Sequence, residues 1–397
     1  MRTLLSLEEA QRRILARVTR LPTEEVPLAE ASGRVLAEPA TSRVDLPPFD
    51  ASAMDGFAVQ ARDAPGRLPV VERIAAGRPA RRELRHGEAM GIATGGVVPA
   101  GADAVIPLEE VAESDNEIEI GGAVDEGTNV RPRGGDLRAG SVVVAAGVQL
   151  GPAQLGALAA AGVAEITTAR RPRAAVLVTG SELRSPGEPL EPGQIYEANG
   201  VMLAAQLRSA GAEVEILEPV ADDEVAHRAA LEAGLQADVL VTSGGVSVGP
   251  HDLVRSVGRD LGIEEVLWGV AVKPGKPLWF GVRGETLVFG LPGNPVSSLV
   301  CFELFVRPAL LALQGHTDPL PHFRPGRLAR SLRPNRARTE LVRARARVGD
   351  GVVELEVVTG QESHMIAAAA GADSLVLVPA GEDELPAGAP VSFLPLA

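Results

Sequence analysis

The chain has 397 residues, 45% of them hydrophobic, so we expect a folded protein of about two to four domains. Its formal net charge of −14 argues against a broad surface for nucleic acid or anionic membranes, but leaves room for a local basic pocket. The single cysteine, Cys301, excludes an intramolecular disulfide and is expected to be a buried small residue of a cytoplasmic protein.

The N-terminal part of the chain predicts a helical segment followed by a β domain. Residues 1–40 are expected to be helical through SLEEAQRRILARVTR and LAEASGRVLAEP, and the N-terminus has no apolar run of signal-peptide length. Residues 41–141 consist of short apolar runs separated by Gly, Pro and Asp, which predict a small all-β domain.

The uncharged stretch 141–164 is expected to be a strand and a helix, and not a membrane span, because glycine, glutamine and proline interrupt it. Pro152 is predicted near the helix start and Gly162 after its end. Residues 142–168 are expected to pack back on residues 1–40 as one elongated helical or linker domain. The β domain of 41–141 is then an insertion.

The second half of the chain predicts an α/β domain and a further β domain. Apolar strands alternate with helices over residues 169–317, which indicates a doubly wound, mainly parallel sheet covered on both faces. Residues 318–397 return to short strands and predict a C-terminal β domain. The expected fold class is therefore α/β multidomain.

Small or glycine-rich turns follow three strands of the predicted parallel sheet. Because the carboxyl ends of parallel strands lie at one edge, these turns should converge where ligands of such folds bind. Glycines expose N–H groups and allow close approach of an anion, so we predict a pocket for a phosphate-bearing or oxyanion ligand. The three turns are Thr179-Gly180-Ser181-Glu182, Thr242-Ser243-Gly244-Gly245 and Gly290-Leu291-Pro292-Gly293-Asn294.

Only two of the 38 basic residues are lysines, and both lie in VKPGKPLWF. Lys273 and Lys276 carry compact ammonium groups, which a planar guanidinium does not replace in a tight oxyanion pocket. The pairing of the two lysines in one motif therefore predicts a functional anion site.

Several motifs that would identify a nucleotide, dinucleotide or zinc site are absent from the sequence. The KPGKP stretch does not match a Walker loop, no dinucleotide fingerprint follows a first strand, and no common zinc motif occurs. Gly245-Val246-Ser247-Val248-Gly249 matches the serine-hydrolase motif, so a hydrolase with Ser247 as nucleophile and a histidine such as His364 stays an alternative.

Acidic residues in turns are either turn caps or together hold a hydrated Mg²⁺ that bridges phosphates. They include Asp55, Asp136, Asp222 and Asp252.

Several long motifs closely resemble the molybdopterin molybdenumtransferase family, which includes bacterial MoeA and the E domain of gephyrin. They are PPFDASAMDGFAV, GIATGGVVPAGADAVIPLEE, GTNVRPRGGDLRAG, TSGGVSVGPHD, VAVKPGKPLWFG and GLPGNPVSSLVCF. The resemblance implies an L-shaped, four-domain subunit with a molybdopterin-binding α/β domain that acts as a homodimer. It also implies insertion of molybdate into adenylylated molybdopterin, with Mg²⁺ as metal and release of AMP to form molybdenum cofactor.

The family's site residues can be carried over by motif. The resemblance implies a molybdate pocket of Lys273, Lys276, Ser297, Arg343 and Ser363, whose groups are all hydrogen-bond donors. It implies contacts to adenylylated molybdopterin from Thr94, Thr179, Gly180, Ser243, Gly244, Gly245, Ser247, Pro292 and Asn294. Glu182, Asp222 and Asp252 would hold Mg²⁺. The catalytic set would be these three acids with Lys273, Asp55 and Asp136, and Asp55, Thr94 and Asp136 would reach the cleft across the dimer interface.

The same resemblance implies transient contacts with a molybdopterin adenylyltransferase and with acceptor molybdoenzymes. Because gephyrin relatives also serve as binding hubs, a non-catalytic scaffold is a second alternative. Two positions depart from the family pattern. Ser181 stands where many members have Asp, and Gly269 stands where a basic residue often precedes the KPGKP motif.

Overall fold

The structure is a computed structural model that describes residues 4–221, 223–245, 253–349 and 351–396. The first helix, α1 (Leu7–Leu15), begins at a capping contact in which the Glu9 N–H donates to Ser6 Oγ at 3.2 Å. Its apolar stripe, which includes Leu7 and Ile14, packs into the core of the α/β domain. The helix predicted for SLEEAQRRILARVTR is confirmed over Leu7–Leu15.

The helical prediction for LAEASGRVLAEP is wrong. The chain forms β1 (Thr23–Pro27), a 3₁₀ turn (Leu28–Glu30) and then β2 (Ala40–Thr41). Pro27 precedes the turn, and Gly33 adopts φ +73°, a left-handed conformation that ends regular helix. Tertiary pairing also outweighs local propensity here, because Val35 and Leu36 form isolated β-bridges with Gln149 and Thr168.

Residues 41–141 contain strands and short 3₁₀ turns, as predicted for an all-β domain. The sheet runs in the order β7-β4-β6-β5-β9-β8 around a core that includes Phe57 and Ile118, and β3 pairs with β10. The strands are β3 (Ala51–Ser52), β4 (Gly56–Val59), β5 (Gly66–Ile74), β6 (Ala89–Ile92), β7 (Ala104–Pro107), β8 (Val111–Ser114), β9 (Glu117–Ile120) and β10 (Val130–Arg131).

The chain then returns to its N-terminal segment through β11 (Val142–Val144), α2 (Pro152–Ala160) and β12 (Glu165–Ala169). The predicted strand and helix over 141–164 are confirmed, with Pro152 in the first turn and Gly162 at φ +78° after the end. Strand β11 pairs with β2, and β12 pairs with β1. The segments that precede and follow the β domain in the chain therefore pair with each other.

The α/β domain is a six-stranded sheet in the order β16-β13-β17-β21-β20-β18. The first four strands are parallel to one another. Strand β20 is antiparallel to β21, and β18 is antiparallel to β20. The elements are β13 (Arg173–Val178), β14 (Leu183–Arg184), β15 (Ile195–Tyr196), α3 (Asn199–Ser209), β16 (Glu213–Ile216), α4 (Glu224–Gly234), β17 (Val239–Ser243), α5 (Leu253–Asp260), β18 (Glu264–Trp268), β19 (Val272–Lys273), β20 (Trp279–Arg283) and β21 (Thr286–Leu291).

Helices cover both faces of this sheet. Val176 of β13 packs in one cluster with Leu207 of α3, whereas the next residue, Leu177, packs in another cluster with Leu231 of α4 and Val257 of α5. Successive side chains of a strand point to opposite faces, so both faces are apolar and buried. The predicted doubly wound, mainly parallel sheet is confirmed.

A long apolar helix follows β21 as α6 (Pro295–Cys301), a π-helical turn (Phe302–Val306) and α7 (Arg307–Leu313). Within the described residues it is the one helix long and apolar enough to cross a membrane, yet 72% of it is buried inside the protein. It packs on the same face of the sheet as α3 and belongs to the core.

The C-terminal domain is a sheet in the order β19-β23-β24-β22-β26-β25, and an additional pairing between β23 and β25 closes it on itself. Its elements are β22 (Arg324–Leu328), β23 (Thr339–Gly349), β24 (Val352–Val357), α8 (Ile366–Ala369), β25 (Ser374–Val378) and β26 (Pro390–Pro395). Strand β19 comes from the α/β domain and pairs with the start of β23, so the two domains share a sheet edge.

Candidate substrate cleft

The order of strands in the α/β sheet reverses between β13 and β17, which places a crevice at their carboxyl ends. The turns after β13, β17 and β21 meet there, as the sequence predicts. The Thr179 N–H donates to the Ser243 carbonyl at 3.1 Å, and the Gly244 N–H donates to the Leu291 carbonyl at 3.2 Å.

Side-chain hydrogen bonds hold the turns after β17 and β21 together. Ser243 is 2% exposed, and its hydroxyl donates to the Pro292 carbonyl at 3.2 Å. The Asn199 amide donates to Ser243 Oγ at 2.9 Å and to the Gly293 carbonyl at 2.7 Å. Ser243, which the sequence placed among the ligand contacts, therefore has a hydroxyl that is already used to fix the turns.

The turn after β17 requires glycine. Gly244 and Gly245 have φ of +94° and +65°, in the left-handed region. A Cβ atom on Gly244 would lie 2.7 Å from Thr179 Oγ1, so a side chain there would push the neighbouring turn away. The close approach of these two turns explains the glycine-rich sequence.

The crevice opens into a cavity of about 600 Å³, which we call the strand-end lobe. Its wall contains several of the residues predicted from the sequence, namely Thr179, Glu182, Ser243, Gly244, Gly245, Pro292 and Asn294. It also contains Tyr196, Glu197, Asn199 and His364, which the sequence did not assign to a ligand. Gly180 does not line it, and its N–H donates to the Val220 carbonyl at 3.1 Å.

A second cavity of about 510 Å³, the lysine lobe, lies between the α/β domain and the C-terminal domain. The α/β domain contributes Lys273, Lys276 and Ser297, three of the residues proposed for the molybdate pocket. The C-terminal domain contributes Arg338, Gln361, Glu362, Ser363 and His364. Two ammonium groups, a guanidinium and two serine hydroxyls therefore surround a space suited to a small oxyanion.

The loop that carries both lysines is tightly seated. Gly275 has φ +119°, and a Cβ atom on it would lie 2.6 Å from Cys301 Sγ in α6. The Cys301 thiol donates to the Gly275 carbonyl at 3.5 Å, and complete burial raises its pKa. Cys301 is the buried small residue that the sequence predicts, and it supports the loop from below.

Arg343 does not reach the lysine lobe. It is 1% exposed, and its guanidinium donates to three backbone carbonyls, those of Gly360, Glu362 and Met365, at 2.6–3.2 Å. Burial lowers its pKa. The prediction that Arg343 contacts molybdate is therefore corrected: it holds the loop 360–365 in place, and Arg338, just before β23, lines the lobe instead.

The loop held by Arg343 docks on the start of α6. The Asn294 amide donates to Ser363 Oγ at 2.8 Å, and the Val296 N–H donates to the Ser363 carbonyl at 3.1 Å. Ser363 therefore lines the lysine lobe, while its backbone joins the two domains.

The two lobes are parts of one cleft. Pro277, Pro292, Asn294 and His364 line both of them. A ligand in the strand-end lobe and an oxyanion in the lysine lobe would meet at this shared wall. The sequence names His364 only as a candidate histidine of the hydrolase alternative, because its place in this wall depends on how the C-terminal domain docks.

The predicted metal site is described only in part. Glu182 lines the strand-end lobe, whereas Asp222 and Asp252 lie outside the described residues, as does Ser247. Within the described ranges no group of three His, Cys, Asp or Glu side chains is arranged to hold a metal ion. Glu197 is buried and accepts the Gly200 N–H at 2.7 Å, so it caps the first turn of α3.

The residues predicted from the β domain lie outside the cleft walls of this chain. Asp55 accepts the N–H and the hydroxyl of Thr94 at 2.6 and 2.9 Å, and these hydrogen bonds lower its pKa. The Asp136 N–H donates to the Leu46 carbonyl at 2.9 Å. A single chain therefore brings Asp55 and Thr94 together, but neither they nor Asp136 line either lobe.

Comparison with known proteins places the chain in a well-populated group. Three family descriptions match successive parts of it: the MoeA N-terminal region (domain I and II) over residues 5–162, a probable molybdopterin binding domain over 175–312, and the MoeA C-terminal region (domain IV) over 325–396. Together they cover every domain of the fold.

Curated relatives match over most of their length. A Mycobacterium tuberculosis protein named molybdopterin molybdenumtransferase 2 is 40% identical, over 85% of this chain and 87% of its own. A Haemophilus influenzae molybdopterin molybdenumtransferase is 35% identical over 99% of this chain and 98% of its own. The solved structure of the molybdopterin biosynthesis moeA protein from Pyrococcus horikoshii OT3 superimposes with a TM-score of 0.83 at 29% identity, covering 99% of this chain and 100% of that one.

Proposed function

This chain belongs to the molybdopterin molybdenumtransferase family, and we propose that it inserts molybdate into adenylylated molybdopterin, releasing AMP and forming molybdenum cofactor. The observation that carries the proposal is the two-lobed cleft. One lobe presents cations and hydroxyls for a tetrahedral dianion, and the other opens at the strand ends, where phosphate-bearing ligands of such folds bind.

In this proposal Lys273, Lys276 and Arg338 neutralise molybdate in the lysine lobe, and Ser297 donates a hydroxyl hydrogen bond. The glycine turns accept the adenylylated pterin, because their backbone can approach a phosphate closely. The shared wall then holds both substrates side by side. Positioning of this kind converts a bimolecular encounter into an effectively unimolecular step.

Several further expectations belong to the proposal. Mg²⁺ would neutralise the phosphates and be held by Glu182 with Asp222 and Asp252, the last two being outside the described residues. A homodimer would bring Asp55, Thr94 and Asp136 of one subunit to the cleft of the other. The protein would act in the cytoplasm and contact the molybdopterin adenylyltransferase and acceptor molybdoenzymes transiently.

The experiment is to incubate the purified protein with adenylylated molybdopterin, Mg²⁺ and molybdate and to measure AMP release. Wild type should release AMP only when molybdate is present. Lys273→Ala should reduce this release about 100-fold, whereas Ser247→Ala should retain much of it. A folded wild type without any turnover would overturn the proposal and favour a non-catalytic scaffold.

The same assay addresses the hydrolase alternative. A serine hydrolase would lose its activity in Ser247→Ala and would not require molybdate. The lysine lobe favours the transferase, because a hydrolase of this kind has no use for three cations at one small cavity.

A further inference from the structure

Glu340 lies directly behind one of the two lysines of the cleft. Its Oε1 atom is 2.6 Å from the Lys273 ammonium nitrogen. The carboxylate is 15% exposed and the lysine side chain is 45% exposed, so the acid faces the interior and the ammonium faces the cavity. Glu340 itself does not line either lobe.

The backbone fixes this pair. Lys273 of β19 and Glu340 of β23 are register partners in a parallel pairing, and the Thr339 N–H donates to the Ala271 carbonyl at 3.0 Å. The two residues come from different domains, so the ion pair lies at the seam where the α/β domain joins the C-terminal sheet.

Within the described residues, the other two cations of the lobe have no such partner. Among the residues that the structure describes, neither the Lys276 ammonium nor the Arg338 guanidinium makes an ion pair or a hydrogen bond. Lys273 is therefore the lobe cation whose position is set before any ligand arrives. A lysine side chain has a long flexible stem, and ordering it in advance removes an entropic cost from binding.

We propose that Glu340 is a positioning residue that orients the Lys273 ammonium toward the oxyanion in the lysine lobe. An ammonium has three N–H donors, so the contact with Glu340 leaves two for the ligand. Glu340 acts only through Lys273 and does not touch the substrate. This inference rests on the proposed function of the same site.

The test is a set of variants assayed for molybdate-dependent AMP release. Glu340→Ala should raise the KM for molybdate by about tenfold with a smaller effect on kcat, because it disorders a binding group. Glu340→Gln should stay within about threefold of wild type, because its amide oxygen can still accept from the ammonium. Glu356→Ala, which removes the Arg347–Glu356 pair on the same sheet, is the matched control and should leave KM unchanged.

A double variant separates positioning from a general structural role. In a Lys273→Ala background, Glu340→Ala should change kcat/KM by less than about twofold, since the residue through which Glu340 acts is gone. An equal loss in both backgrounds would overturn the inference, and so would an unchanged KM in Glu340→Ala. Thermal unfolding of each variant shows whether it is folded.

Failure of this inference differs from failure of the proposed function. If wild type neither binds molybdate in calorimetry nor releases AMP, the proposed function is wrong. If wild type does both and Glu340→Ala matches it, only the role of Glu340 is wrong.

Discussion

Arg338 lies just before β23 and Arg343 lies within it, yet their guanidinium groups serve different parts of the molecule. Arg338 lines the lysine lobe, whereas Arg343 is buried and donates to the carbonyls of the loop 360–365. That loop carries Ser363 and His364 into the cleft. Arg338 is positioned to contact a ligand, whereas Arg343 stabilises the loop that forms part of the cleft wall.

The two arginines should therefore respond differently to truncation. Arg338→Ala should raise the KM for molybdate about tenfold while the protein unfolds at the wild-type temperature. Arg343→Ala should lower the free energy of unfolding by about 3 kcal/mol, because it leaves buried carbonyls without donors. Thermal unfolding and AMP-release kinetics on both variants check this, and the reverse pattern would contradict the assignment.

Molybdate use should depend on the shape of the cationic groups at Lys273 and Lys276 as well as on their charge. Lys273→Ala should reduce molybdate-dependent AMP release about 100-fold, as expected for loss of one preorganised donor to an anion. Lys276→Arg keeps the charge but replaces a compact ammonium with a planar fork, so it should raise the KM for molybdate about tenfold. Unchanged molybdate dependence in Lys276→Arg would count against the lysine argument.

Gly275 should not tolerate a side chain. Its φ of +119° is unfavourable for any other residue, and a Cβ atom would lie 2.6 Å from Cys301 Sγ. Gly275→Ala should cost about 2 kcal/mol of stability and weaken molybdate binding, because the loop must shift. Gly187→Ala, at φ +96° with no atom within 4 Å of the added Cβ, is the control for backbone strain and should leave molybdate binding intact.

Cys301 should be chemically inert in the folded protein. It is fully buried beneath the lysine loop, and burial raises the pKa of its thiol, so little thiolate is present even at mildly alkaline pH. Iodoacetamide at pH 8 to 9 should leave the native protein unlabelled and add one adduct in denaturant. Mass spectrometry reports both results, and rapid labelling of the native protein would contradict the packing.

Asp238 should make the free energy of unfolding depend on pH in the acidic range. Burial alone would raise its pKa, but the bidentate contact with Arg170 at 2.6 and 2.7 Å and the Arg173 N–H outweigh burial, so the pKa is lowered below 3.8. The stabilisation is present above 3.8 and is lost as the pH falls through the folded-state value.

Asp238→Asn should therefore be about 2 kcal/mol less stable than wild type at pH 7, with the difference shrinking in strong acid. Urea unfolding at a series of pH values measures it. A constant difference at every pH would mean that the ion pair is not the cause.

Much of the fold could be predicted from local patterns. Runs such as RAAVLV and VLVTS are apolar on both faces, which indicates buried parallel strands wherever they occur. The N-cap at Ser6 and the Pro152 and Gly162 signals likewise mark helix ends by local chemistry. The helix prediction for residues 28–39 failed because Val35 and Leu36 form β-bridges with Gln149 and Thr168, which lie far along the chain.

The sequence by itself determined the chemistry of the cleft: the only two lysines stand in one motif, and glycine turns follow the parallel strands. Only the tertiary structure decided which cations face the ligand. Arg338 and Arg343 are chemically identical, and their roles separate only when the C-terminal sheet packs against the α/β domain. The partnership of Lys273 with Glu340 has the same origin, because two strands from different domains bring the residues into register.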